Sequence, residues 1–189
     1  MMKLFVPVLL LLLSSLVSAL RAGRLATQEQ DPPARQLGSL CTQCETVQIA
    51  FHILDNSAGN NKAASYWHDT RINWEVDFLN ERWASTPFKF MLRKVTRQTN
   101  NDWSSGNVYD PVFINDVVGK LRAGGRTTVN VFVNDGNVCG FSGYAKRALS
   151  LQFFPVDEFS LYDWVFLCGG TRENNILPYE LGHWLGLIQ

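Results

Sequence analysis

The sequence has 189 residues, 17 basic and 17 acidic side chains, and 46% hydrophobic residues. That length suits one domain with a sizeable core, and the balanced charge gives no electrostatic reason to expect nucleic acid or an anionic membrane as partner. The sequence contains no basic run, heptad or internal repeat.

The chain opens with "MMKLFVPVLLLLLSSLVSA", which has a single early charge at Lys3, an apolar stretch over Leu4–Leu13, and small residues up to Ser18-Ala19. This is the pattern of a secretory signal peptide over residues 1–19. The apolar stretch falls short of the ~20 residues that a bilayer span requires. The expectation is a secreted, extracellular protein. Losing residues 1–19 removes Lys3 and leaves 16 basic against 17 acidic side chains. Residues 20–40 are polar, contain Pro32-Pro33 and lack an apolar period, so they read as a flexible arm or short pro-segment. The ordered domain is expected over 41–189.

"TVQIAFHIL" (Thr46 to Leu54) reads as a strand and "DNSAGNNK" as a loop. Ile72, Val76, Leu79 and Trp83 recur at helical steps. "STPFKFMLRKV" restarts as a strand after Pro87, and Asp110-Pro111 caps the helix "VFINDVVGKLR". "TTVNVFV" and Tyr162–Cys168 are strands, ended by Asn134-Asp135-Gly136 and Gly169-Gly170. A last helix starts near Pro178. This alternation predicts an α/β layer fold, with helices packed on a twisted mixed sheet.

In an oxidising compartment Cys41, Cys44, Cys139 and Cys168 predict two disulfides, with three connectivities open. Bridges from the amino-terminal arm to the body are expected. The lone C-x-x-C of "CTQC" is weak evidence for a metal or redox site. His52, on an apolar strand, reads as a core or strand-face residue, and His68 as a solvated loop residue. Glu75 and Asp77 lie on opposite sides of a helix and read as a solvated face.

The ending "LPYELGHWLGLIQ" overlies the zinc-protease pattern H-E-x-x-H-x-x-G-x-x-H with Tyr179, Glu180, His183, Gly186 and Gln189. In that pattern two histidines at i and i+4 reach one zinc ion from a single helix face. The glutamate between them works on the metal-bound water, and the glycine turns the chain toward a third histidine. A catalytic zinc needs three protein ligands and one open position. Read with "VQIAFHIL", "INWEVDFLNERWASTPFKFML", "NDW", "NVFV…GFSGYA" and "DWVFLCGGT", this ending resembles the pappalysin (cytophagalysin) family of metzincin metalloproteases, especially its secreted fungal branch. The resemblance implies the upper lobe of a zincin that ends at its active-site helix. It makes Glu180 the general base and His183 the second zinc ligand, with Tyr179 and Gln189 at the other two ligand positions. Zinc is therefore the implied cofactor. Losing two ligands costs roughly 6–8 kcal/mol, or about four to six decades of affinity, so tight binding by this chain is not expected.

Three functions stay open on these residues. They are a secreted metallopeptidase-family protein acting as a zinc endopeptidase, an inactive relative that binds peptide or protein, and a truncated form of an active enzyme. With no lower lobe following, Leu181, Trp184, Leu185 and Leu187 are expected to leave apolar surface partly exposed, so that the last helix frays.

Overall fold

The computed structural model describes residues 44–125, 127–140, 142–146, 163–171 and 175–187. The leader, the arm, Cys41 and Gln189 lie outside the described residues. The protein is a mixed α/β fold. Its elements in chain order are β1 (Glu45–Asp55), α1 (Lys62–Tyr66), α2 (Asp69–Arg82), β2 (Phe88–Thr99), α3 (Asn101–Ser104), α4 (Pro111–Leu121), β3 (Thr128–Asn134), β4 (Gly143–Ala145), β5 (Trp164–Cys168) and α5 (Ile176–Trp184). A 3₁₀ turn over Asn137–Gly140 follows β3.

The strands form one sheet in the order β2-β1-β3-β5-β4. β2, β1, β3 and β5 run parallel, and β4 lies antiparallel to β5. Strands buried on both faces read as continuous apolar runs, and β3 and β5 are buried along their whole lengths. Alternate residues divide between two cores. Ile49, Phe51, Ile53, Val131 and Leu167 pack with Ile72 and Leu79 of α2 and with Leu177, Leu181 and Trp184 of α5. On the opposite face Leu54, Phe132 and Phe166 pack with Trp103 of α3 and with Ile114, Val117 and Val118 of α4.

The predicted cap of α4 is present, whereas the last helix begins at Ile176, before Pro178, with no side-chain cap. Asp110 accepts from the N–H of Val112 ahead of Pro111. His68 is exposed, as expected, and it also caps α2 by accepting from the N–H of Arg71 at 3.2 Å.

Two expectations are corrected here. Glu75 is not on a solvated face; it is 2% exposed and receives Arg71 Nε at 2.9 Å. It sits on the same apolar stripe as Ile72 and Leu79, three and four residues away, where the helix turns it inward. Burial raises its pKa against the pull of Arg71. The cysteine expectation changes too, because Cys139 pairs with Cys168 within the body. Cys44 is disulfide-bonded as well, to a partner outside the described residues.

His52 is a core residue, fully buried and stacked on Phe132 at 4.6 Å. The Asn130 side chain is held by Ala123, accepting at Oδ1 and donating from Nδ2. Its Oδ1, 3.0 Å from His52 Nε2, can therefore only accept, and Nε2 carries the proton. Nδ1 then accepts from the Thr96 hydroxyl at 2.6 Å. Burial lowers the His52 pKa to about 4, so the ring is neutral at pH 7.

The last helix does not leave its apolar surface open. Leu181 and Trp184 are buried and Leu185 is partly so; of the four residues only Leu187 is exposed, at 58%. The sheet and α2 together bury them. The Trp184 indole N–H donates to Asp163 Oδ1 at 2.6 Å, and Arg122 Nη2 donates to Asp163 Oδ2 at 3.1 Å. Both bonds lower the pKa of the Asp163 carboxyl, but burial prevails and the net shift is upward. We predict that Trp184→Phe, which withdraws one donor from a buried carboxylate, costs about 1–3 kcal/mol. A urea titration checks this: the midpoint falls at an unchanged slope, whereas an unmoved midpoint contradicts it.

Candidate functional site

α5 carries the residues singled out by the ending of the chain. It closes as a Schellman-type turn: Gly186 takes φ 90°, and the Leu187 N–H donates to the Gly182 carbonyl at 2.9 Å. The motif glycine thus ends the helix, as its position predicts. Side chains four residues apart share a face. Tyr179 and His183 lie side by side, ring centroids 4.6 Å apart and edge to face. Tyr179 is 44% exposed, and His183 is half-buried with Nδ1 3.3 Å from the Leu187 carbonyl. That carbonyl can only accept, so Nδ1–H is the donor of this bond.

Glu180 points the other way, into the fold, and is only 5% exposed. Its carboxyl lies against β4. A Cβ at Gly143 would fall 2.8 Å from Glu180 Cγ, so only glycine permits this approach. On either side of β4 the Ser142 carbonyl accepts from the Cys168 N–H and the Lys146 N–H donates to the Trp164 carbonyl. With Gly143 opposite Leu167 and Ala145 opposite Val165, the alternation of an antiparallel pair turns the backbone groups of Gly143 and Ala145 away from β5. The outward N–H of Ala145 donates to the Glu180 carboxyl. Desolvation outweighs this bond and raises the Glu180 pKa from 4.5 to about 7.

The resemblance implies zinc here, and the donor set does not fit it. A catalytic zinc takes three strong protein donors. α5 brings one imidazole and a phenol to the shared face, and Glu180 is turned toward β4. Among the described residues, the one group of three close His, Cys, Asp or Glu ligand atoms is Asp135, Cys139 and Cys168, and it does not include His183. That cluster escaped the sequence reading because its members come together only at the carboxyl ends of the strands.

Neither a family model nor a curated protein matches this chain. Among solved structures, a chain from an entry described as "Structure of a chaperone-substrate complex" aligns at 13% identity and a TM-score of 0.49. The match covers 76% of this chain and 24% of that one, a likeness too slight to carry a functional argument.

Glu180 makes stability depend on pH with a definite sign. Its pKa is higher folded than unfolded, so it weakens the fold as pH rises from 4.5 to about 7. We predict that Glu180→Gln matches wild type near pH 4 and becomes more stable by up to about 3 kcal/mol at pH 8. Denaturant titrations across that range measure the difference. Comparing variant with wild type matters because His52, its pKa lowered to about 4, makes stability rise with pH up to about 6.5. A difference that stays flat with pH contradicts the prediction.

Proposed function

We propose that this chain is a secreted relative of pappalysin-type metallopeptidases that no longer cleaves peptides and instead holds extended peptide or protein segments along β4. One observation carries the reading: a buried carboxyl of near-neutral pKa, Glu180, sits on the outward edge of an antiparallel edge strand. Among the described residues no strand pairs with that edge of β4, where Glu180 takes the Ala145 N–H. The Gly143 N–H and C=O turn outward, and a sheet edge of this kind accepts an added strand through main-chain hydrogen bonds.

Zinc hydrolysis is the activity that the resemblance implies. When bound, zinc would supply an activated water. The residues of this chain supply less: Glu180 holds a proton near neutral pH and takes the Ala145 N–H, and Gly143 offers its backbone groups. His183 is the one histidine of the ligand pattern present on α5. Secretion is supported by the apolar leader sequence and by the Cys139–Cys168 disulfide. No described helix is long and apolar enough to cross a membrane.

The test offers a mixed pool of unstructured peptides to the mature protein in micromolar zinc. The expected result is retention of peptides without new peptide ends by mass spectrometry, and slowed hydrogen exchange at the Gly143 amide. Cleavage that disappears in Glu180→Gln would overturn the reading and establish a working peptidase.

A further inference from the structure

A second constellation lies at the carboxyl ends of β3 and β5, the place where open α/β sheets bind ligands. A cavity of about 490 Å³ opens there, lined by Lys62, Asp135, Cys139, Ser142, Cys168 and Thr171 among others. Asp135 Oδ2 accepts from the Lys62 backbone N–H at 2.6 Å. Its Oδ1 is buried and has no hydrogen-bond partner. A Cβ at Gly169 would fall 2.1 Å from that oxygen, so the glycine gives the carboxylate its seat. An orphaned buried carboxylate oxygen is costly, and a cation beside it removes the cost.

One ligand atom from each of Asp135, Cys139 and Cys168 lies within 4.8 Å of the others. With the disulfide formed, the two sulfurs cannot act as thiolates. We infer that reduction of Cys139–Cys168 converts this cluster into a three-ligand site for a thiophilic divalent cation, zinc being the natural occupant. The step balances with a dithiol reductant. Two electrons and two protons pass from the dithiol to the S–S bond, giving two protein thiols and one oxidised disulfide. Zinc then binds both sulfurs and displaces two protons, and Asp135 adds a third ligand, leaving one position for water. Disulfide and metal are mutually exclusive.

The geometry permits the exchange. Tetrahedral zinc with Zn–S bonds near 2.3 Å holds two sulfurs about 3.8 Å apart, so the pair must open from its bonded distance of 2.07 Å. Cys168 ends the rigid, buried β5, whereas Cys139 lies exposed in the 3₁₀ turn. Cys139 is therefore the side that moves. Lys62 lines the same cavity, and a nearby cation favours the thiolate form. The site uses no residue of α5, so it stands or falls apart from the proposed peptide binding.

Cobalt(II) is the probe, because cobalt–thiolate charge transfer reports the ligands directly. The mature protein carrying Cys41→Ser and Cys44→Ser, which removes the other reducible cysteines, is titrated with cobalt(II) before and after reduction by a phosphine, with circular dichroism recorded in parallel. Expected are one cobalt per chain with a thiolate band only after reduction, displacement by zinc, and an unchanged fold. Asp135→Asn should weaken binding at least tenfold, Cys168→Ser should abolish the thiolate band, and His183→Ala should change neither. Absence of the band after reduction overturns the inference. So does equal affinity in Asp135→Asn, or unfolding of the reduced chain.

Discussion

The hydrogen bond from Trp184 to Asp163 fixes where the last helix can lie. Asp163 immediately precedes β5 and is 2% exposed, so its carboxylate needs partners inside the protein. It finds them in Arg122, just beyond α4, and in Trp184, the last residue of α5. Three elements on both faces of the sheet therefore meet at one buried charge. Because α5 is pinned at its carboxyl end, its inner face must run up along β5 toward β4, which places Glu180 against the edge strand.

Glu180 follows from that placement. A carboxyl on this inner face is withdrawn from water by the sheet, and Gly143 lets it come closer than any other residue would. One backbone N–H, from Ala145, is too little compensation, and the proton is held toward neutral pH. Glu180 thereby has a proton affinity suited to acid–base work near neutral pH. The outer face of the same helix, with Tyr179 beside His183, lacks the donors that would hold a metal. On α5 the proton affinity of Glu180 is set by burial and owes nothing to the Tyr179 and His183 face.

The sequence made the long elements legible because their burial is simple. β1, β3 and β5 are covered on both faces over most of their length and so appear as runs dominated by apolar residues, broken only by a few polar ones such as Gln48, His52 and Asn130. α4 announces itself through Asp110-Pro111. α1 and α3, of five and four residues, are too short to show a period. β4 has three residues and was visible only through the family resemblance. The charge of Glu75 points to solvent, but its place on the stripe of Ile72 and Leu79 turns it inward, where Arg71 donates to it. Asp163 gave no local signal, since its partners lie 41 and 21 residues away. In the candidate site the identities of Glu180 and His183 were legible, but not the burial that separates their roles. The pairing of Cys139 with Cys168 beside Asp135 depends on β3 and β5 being neighbours, which spacing along the chain does not reveal.

The central claim is that burial against β4 sets the proton affinity of Glu180 without any metal. The most direct test is a carbon-13 NMR titration of the Glu180 side-chain carboxyl in metal-free protein, assigned by comparison with Glu180→Gln. The account predicts a midpoint near pH 7, the value to which burial raises this group. A midpoint near the ordinary glutamate range of about 4.3 would contradict it.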